Sequence, residues 1–393
     1  MPLKILHIFS DWKWTGPADP TVSLCKELEK RGHEVLFAHR TPPPGMEVSL
    51  QTKVAEAGIN ATTRFHLNHG LKLTRPRAFL ENLKDLWNFT RYLRENRFDV
   101  LNVHHSHDHV IGGLAARRSG VPLPVIRTDH KRDFIAASLA NRVLMARLTD
   151  GMIVFSEKQK RQDMAHFGFP SERVALINPA LPLDRYDPRK EFKEMRKHFG
   201  IAPDEVVIGM IARYQKYRRT EVMLEAMKQI VQVFPKVKLL LVGRSSQFEE
   251  SVVRPMKKLG VESSVVLGGY QTTHYMDTLA SMDIFVFLMA GSDGTARALR
   301  EAMAMGKPSV VADRGILPDL VEDGVSGLVV KDTAEGLAGG VLDLLQHPEK
   351  RQAMGQAAYR RAHEQFRLDR QVETVETFYE EMIRLGRWNH KRD

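Results

Sequence analysis

The sequence predicts an α/β protein of two doubly wound, Rossmann-like domains, each built on a parallel sheet with helices on both faces. Three observations lead there. Short continuous apolar runs, of which Leu3 to Phe9, Val206 to Ala212 and Ile284 to Leu288 are the clearest, read as strands buried on both faces. Each run is followed by a loop and then by a stretch of helical spacing, the alternation of βαβ units. At 393 residues the chain is longer than one hydrophobic core usually serves. The alternation is therefore divided between a first domain, 1–183, and a second, 197–366, with the charged, proline-containing segment 184–196 as linker.

Composition excludes several classes. With 43% apolar and 27% charged residues the chain is globular, neither disordered nor fibrous. Met1 to Phe9 lacks the long apolar core of a secretion leader and runs straight into a strand, and no stretch is apolar for long enough to cross a bilayer. A single cysteine, Cys25, rules out an internal disulfide and fits a reducing cytoplasm. The formal charge of +10 favours an anionic partner: a nucleoside diphosphate, an anionic lipid surface or an acidic glycan. No zinc-finger, RNA-binding or helix-turn-helix pattern is present, so nucleic acid is not expected.

In chain order, Lys4 to Phe9 is the first strand, the loop Ser10 to Pro20 carries Thr15-Gly16-Pro17, and a helix runs from Thr21 to Arg31 before the strand His33 to Ala38. The loop lacks the G-x-G-x-x-G fingerprint, so no nicotinamide cofactor is expected. Gly16 fits either an ordinary loop glycine or one that approaches a ligand. Pro76 to Arg97 reads as a helix with Phe79, Leu80, Leu83, Leu86, Trp87 and Leu93 on its apolar side, surrounded by arginines and lysines. Such a helix packs on the sheet or rests on anionic lipid as a peripheral contact.

Asp99 to His104 is a strand that runs into His105, His107 and His109, alternating at its end. Neutral imidazoles are common metal ligands, but the cluster has no cysteine and no distant partner group at ligand spacing, so no metal is assigned. Strands at Val125 to His130, Gly151 to Ser156 and Val174 to Pro179 follow, with a helix from Phe134 to Leu148 between the first two.

The second domain opens with the strand Val206 to Ala212 and the cation-rich Arg213-Tyr214-Gln215-Lys216-Tyr217-Arg218-Arg219, followed by a helix from Thr220 to Phe234. Cations at a strand's carboxyl end, beside a helix N-terminus, suit a diphosphate; the same residues also fit a solvated basic loop. Ile284 to Leu288 is a strand, Gly291 to Gly294 a loop, and Thr295 to Met305 a helix stopped by Gly306 and Pro308. Asp293 and Glu301 stand eight residues apart, so loop and helix present two carboxylates on one side. A ribose fits against them, and so does a plain helix cap followed by an i,i+4 charge ladder through Arg297.

Arg300-Glu301-Ala302-Met303-Ala304-Met305-Gly306-Lys307-Pro308 and Asp323-Gly324-Val325-Ser326-Gly327-Leu328-Val329-Val330 resemble the C-terminal signature of glycosyltransferase family 4. The resemblance extends over essentially the whole chain. It implies the GT-B fold: two doubly wound domains facing across a cleft, with donor binding in the second and a terminal helix, 367–393, that crosses back to the first. It also implies roles. Arg213 and Arg218 hold the donor diphosphate and stabilise the leaving group. Asp293, Gly294 and Thr295 lie at the donor sugar, Glu301 binds ribose hydroxyls, Gly16 approaches the phosphates, and His104 lies beside the reacting sugar. The sequence departs from the family at and near these places, the first loop keeping only Gly16 of a Gly-Gly pair. Asp293 replaces Glu, Arg218 replaces Lys, Thr295-Ala296 replaces an aromatic-Gly pair, and Asn102 replaces a His upstream of His104.

The activity implied is retaining transfer of a hexose from a UDP- or GDP-sugar to a hydroxyl acceptor, an envelope glycan or lipid, without metal or other cofactor, in the cytoplasm or peripherally at the membrane's inner face. The substitutions also fit two alternatives: a nucleotide-sugar-binding scaffold that has lost transfer, and a nucleotide-sugar epimerase on the same fold.

Overall fold

The computed structural model describes residues 1–67, 76–131, 135–291 and 295–388. The chain forms two compact units, one of Met1–Ala180 with Leu368–Asp393 and one of Leu181–Arg367.

The first unit alternates β1 (Lys4–Phe9), α1 (Ala18–Lys30), β2 (Glu34–His39), α2 (Leu50–Ala57), β3 (Ala61–Thr62), α3 (Pro76–Asn96), β4 (Val100–Val103), α4 (Ser106–Ser119), β5 (Val125–Thr128), α5 (Leu139–Leu148), β6 (Gly151–Val154), α6 (Glu157–Phe167) and β7 (Val174–Leu176). Its seven strands are ordered β3-β2-β1-β4-β5-β6-β7, all parallel. The chain winds outward from β1 to β3, jumps back over β1 to β4, and winds outward again to β7. Right-handed crossovers then put α1 and α2 on one face and α3 to α6 on the other.

The second unit contains α7 (Met195–His198), β8 (Val206–Ile211), α8 (Thr220–Val233), β9 (Val237–Val242), α9 (Arg254–Leu259), β10 (Val265–Gly269), α10 (Tyr275–Ala280), β11 (Ile284–Phe287), α11 (Arg297–Ala304), β12 (Ser309–Ala312), α12 (Leu317–Leu320), β13 (Gly327–Val330), α13 (Ala334–Gln346) and α14 (Pro348–Gln365). Its six strands run parallel in the order β10-β9-β8-β11-β12-β13, so the direction of winding reverses between β8 and β11. The central strands are apolar along their whole length because both faces are covered; in β8, Val207, Ile208 and Met210 are fully buried.

The terminal helix α15 (Leu368–Leu385) belongs to the first unit. Val372, Val375, Phe378, Tyr379 and Met382 are buried, and α15 packs against α1. Arg31 and His33 both bond the Glu376 carboxylate, at 2.7 and 2.8 Å. Helix α15 lies close over the first residue of β6: a Cβ on Gly151 would come within 2.6 Å of the Met382 sulfur, so a larger residue there requires Met382 to shift.

Four local readings of the sequence are corrected. Residues 184–196, which composition marks as a linker, are bonded into the second unit, with Arg196 paired to Asp283 at 2.8 Å and the Lys193 amide donating to Asp277 at 3.0 Å. His105 to His109 do not continue a strand. They begin α4, because the buried Asp108 carboxylate accepts from the His104 and His105 amides at 3.3 and 2.9 Å and turns the chain into a helix. Of the helix expected from Phe134, that residue lies outside the described ones, and α5 starts at Leu139, after Ser138 accepts from the Asn141 amide at 3.3 Å. In α3 the row turned to the sheet is Asn82, Asp85, Phe89 and Leu93, whereas Leu80, Leu83 and Trp87 face solvent. Asp85 faces inward because its carboxylate accepts from the His66 and Leu67 amides, at 3.0 and 2.7 Å.

Candidate active site

In an open parallel sheet, the helices flanking the point where the winding reverses diverge to opposite faces and leave a crevice at the carboxyl ends of the strands. Each unit has one such point.

In the first unit the reversal lies between β1 and β4. Gly16 is exposed in the turn that leads from β1 into α1. Asp108 ties the two loops together: besides the amides of His104 and His105, it accepts from the Ser10 amide at 2.9 Å and from His105 Nδ1 at 3.2 Å. Burial alone would raise the Asp108 pKa, but His105 and these hydrogen bonds hold it below the usual carboxylate range.

His104 is buried, and both its ring nitrogens are engaged by other imidazoles: Nε2 lies 3.0 Å from His7 Nδ1, and Nδ1 lies 3.0 Å from His130 Nε2. The three rings are stacked, with centroids 5.2 and 5.3 Å apart. Burial pushes His7 and His130 down to about 3 and His104 well below its ordinary value, so all three are neutral at pH 7. Neutral imidazole has one donor and one acceptor, so two bonds in series require the N–H groups to point the same way along the chain. His7 Nε2 and His130 Nδ1, at its ends, are buried with no partner among the described residues. His104, His130 and Thr128 also line a small cavity of about 20 Å³ with Thr21, Phe155 and Gln371. Asn102, which stands where the family has a histidine, accepts from the Thr128 hydroxyl at 3.0 Å.

His109 serves the core. It contacts buried Arg127 at 3.2 Å and the Thr149 hydroxyl at 2.6 Å, and Arg127 pairs with Asp129 at 3.0 Å. No group of three or more His, Cys, Asp or Glu among the described residues is arranged to hold a metal.

In the second unit the reversal lies between β8 and β11, and four cations follow β8. They divide into different roles. Arg219 is tied to Asp332 at 3.1 Å beneath the start of α8. Arg218 is buried, donates from Nη1 to the Met289 carbonyl at 2.6 Å, and lies over the Tyr217 and Phe287 rings. It therefore links the loop after β8 to the loop after β11. Arg213 and Lys216 are exposed, and the Arg213 guanidinium has no hydrogen bond or ion pair among the described residues. Gly243, after β9, passes so close to this turn that a Cβ would meet the Ala212 carbonyl oxygen at 1.9 Å. Asp293 and Gly294 lie outside the described residues.

Thr295 is buried, and its carbonyl accepts from Arg300 Nε at 3.0 Å. Helix α11 begins two residues later than the sequence suggests because Ala296 is left-handed, with φ 48°. This is where the family carries glycine, and an alanine there costs about 1 kcal/mol. Glu301 is buried and already coordinated: Tyr186 donates its hydroxyl to Oε1 at 2.8 Å, Arg297 Nε donates to Oε1 at 2.8 Å, and Tyr275 donates its hydroxyl to Oε2. Burial and the Glu301 charge raise both phenol pKa values. A carboxylate offers about four acceptor positions, so three donors leave room for one more.

Sequence reasoning missed His7, Asp108, Tyr186 and Tyr275. A signal existed for two of them: a histidine inside an otherwise apolar strand, and an acid three residues after the N-cap His105, in capping-box position. Nothing local marks the tyrosines, which reach Glu301 across 115 and 26 residues of chain.

A profile described as Glycosyltransferase Family 4 matches residues 21–185, and one described as Glycosyl transferases group 1 matches residues 191–361. With two parallel α/β sheets, this defines a glycosyltransferase of the GT-B class. The chain belongs to glycosyltransferase family 4. It is 26% identical over 370 residues to the N-acetyl-alpha-D-glucosaminyl L-malate synthase of Bacillus anthracis, covering 92% of each. It is 23% identical over 358 residues to a D-inositol 3-phosphate glycosyltransferase of Corynebacterium aurimucosum, covering 86% of this chain and 84% of that one. Among solved structures, a glycosyltransferase from Rickettsia africae superposes with a TM-score of 0.82 at 15% identity, over 97% of this chain and 99% of the other. Anabaena HepE in complex with UDP and glucose gives a TM-score of 0.75 at 19% identity, over 95% and 98%. Both share the fold.

Proposed function

We propose that the chain is a retaining hexosyltransferase that takes a sugar from a UDP- or GDP-linked donor and gives it to a hydroxyl of an envelope glycan or lipid, at the cytoplasmic side of a membrane and without a metal. The observation that carries this reading is the pair of arginines at the reversal between β8 and β11: Arg213 exposed, Arg218 pinned to the Met289 carbonyl. As the bond between sugar and diphosphate opens, negative charge grows on the departing phosphates. Two guanidinium groups beside the start of α8, one of them held by the Met289 carbonyl, supply the stabilisation a divalent cation would otherwise give. Glu301 is the residue for the ribose, with Tyr186, Tyr275 and Arg297 setting its orientation. The Asp293 loop contributes at the sugar, with Gly294 and Thr295. In the first unit, Gly16 and the His7-His104-His130 chain form the acceptor-side edge. The Anabaena fold relative is bound to UDP and glucose, which favours a uridine donor.

The test is a panel of UDP-, GDP-, ADP- and CMP-sugars, read first by thermal unfolding and then by product analysis with hydroxyl acceptors. A single donor class that stabilises the protein, followed by a new glycoside of unchanged anomeric configuration, is the expected result. If no donor shifts the transition, the reading fails. The substitutions Asp293 for Glu, Arg218 for Lys and Asn102 for His favour one second reading, a donor-binding scaffold. In that case a donor stabilises the protein and is returned unconsumed with every acceptor.

A further inference from the structure

Fourteen large apolar residues are exposed among those described, and six of them lie on three consecutive helices: Leu80, Leu83 and Trp87 on α3, Leu114 on α4, and Leu139 and Val143 on α5. Trp87 is 67% exposed and Leu139 is 79% exposed. Single exposed apolar residues need no explanation, but six gathered on one layer do. Helix α4 packs against both α3 and α5, so the three form one continuous outer layer over the same face of the sheet. Leu80, Leu83 and Trp87 are spaced i, i+3, i+7 and Leu139 and Val143 i, i+4, each a stripe along one side of its helix.

The charge on this layer is one-sided. The three helices carry Arg77, Lys84, Arg91, Arg94, Arg118, Arg142 and Arg147, with Arg117 paired inward to Asp150 at 2.9 Å, against Glu81 and Glu95, which pair with Arg77 and Arg91, as their only acids that are not buried. Asp85 and Asp108 point inward and bond backbone amides. An apolar stripe flanked by arginines and carrying a tryptophan is the composition of a surface that enters the headgroup region of an anionic bilayer. A second copy of this chain is a poorer occupant, since it would bring the same excess of cations against itself.

We propose that the outer layer of α3, α4 and α5 is a docking surface for an anionic phospholipid bilayer. This rests on the transferase reading above and deepens it. Helices in a βαβ unit run antiparallel to their strands, so the N-terminal halves of α3 and α5, which carry four of the six apolar residues, lie towards the strands' carboxyl edge. That is the edge of Gly16 and His104. Docking there presents the acceptor side of the first unit to the membrane and assigns the acceptor to the membrane-held class.

The test is flotation of the full-length protein with vesicles of phosphatidylcholine alone and with about 30% phosphatidylglycerol added, for wild type, a Leu83→Ser/Trp87→Ser double variant and an Arg118→Gln/Arg142→Gln double variant. Wild type floats with the anionic vesicles only. Both variants lower the bound fraction by about tenfold or more, and about 0.5 M salt releases wild type. The substituted residues are exposed, so unchanged unfolding temperatures certify the variants' fold. Wild type that stays unbound with anionic vesicles overturns the proposal, as does equal flotation of the apolar variant. A wild-type dimer in solution that the apolar variant dissociates, without flotation, assigns the face to self-association and overturns it too. Donor-dependent stabilisation is read separately on the same samples. Its absence with flotation intact removes the transferase reading and leaves the docking surface standing.

Discussion

Replacing Arg213 and Arg218 separately by alanine distinguishes a ligand-holding cation from a fold-holding one. Arg218→Ala removes a charged donor from the Met289 carbonyl, worth about 1.5–3 kcal/mol, and ring contacts worth about 0.5–1 kcal/mol. For a unit of this size each kcal/mol lowers Tm by roughly 2–4 °C, so the second unit should melt roughly 4–16 °C lower without any ligand. Arg213→Ala removes an exposed side chain and should leave the ligand-free transition within about 0.5 kcal/mol. A donor sugar at about 100 times its Kd adds about 2.7 kcal/mol to wild type. A tenfold weaker Arg213→Ala complex at the same donor concentration keeps about 1.4 kcal/mol of that, and a hundredfold weaker one about 0.4. Differential scanning fluorimetry with and without donor reads all four numbers. An Arg213→Ala protein with the full wild-type shift refutes the assignment of the diphosphate to this turn.

Three further outcomes follow from buried groups. Glu301→Gln replaces a charged acceptor by an amide facing Tyr186, Tyr275 and Arg297, so it should cost about 2 kcal/mol in ligand-free urea unfolding and lower donor affinity as well. The folded pKa values of His7, His104 and His130 lie below the ordinary 6.5, so the unfolded chain takes up protons first as pH falls. Stability is therefore level above about pH 6.5 and lost towards pH 3 by up to about 1.4 kcal/mol per pH unit per ring; His130→Phe should flatten that limb between pH 7 and 5. Asp163 is fully buried with neither carboxylate oxygen partnered among the described residues, and burial, then Asp129, pushes it up to about 7 from 3.8. A raised acid loses stability as pH rises through 3.8 to 7, so Asp163→Asn should gain up to about 4 kcal/mol at pH 8 and little at pH 4.

The sheets were legible because their strands are short apolar runs, and burial on both faces leaves a parallel strand little other composition. Element ends were less legible, since they depend on single side chains whose partners are distant or locally unusual. Asp108 turns the chain into α4 by accepting backbone amides from two loops, and Ala296 delays α11 by a left-handed residue. The inverted face of α3 has the same origin. Asp85 looks like a solvent residue until its carboxylate is found on the His66 and Leu67 amides, and Leu80, Leu83 and Trp87 look like core until that face is taken. At the candidate site the motif positions were visible one at a time. The tyrosine pair on Glu301 and the imidazole chain were not, because both join segments that are neighbours only after the sheet forms.

That difference bears on what His104 does. A lone histidine at a strand end invites a role as a base, but a base needs a free nitrogen and a pKa near the working pH. Here both nitrogens bond His7 and His130, and burial keeps all three rings neutral. The chain fixes the direction of its own N–H groups, so a hydrogen bond made or broken at His130 Nδ1 changes the tautomer at His104 and His7 together. His104 is thus the middle of a relay whose ends, His7 Nε2 and His130 Nδ1, are the atoms without partners among the described residues. Substituting either end residue should therefore alter the acid limb of stability as much as substituting His104 does. Since burial depresses each ring by itself, the relay is refuted if the His7→Phe and His130→Phe changes in that limb simply add in the double variant.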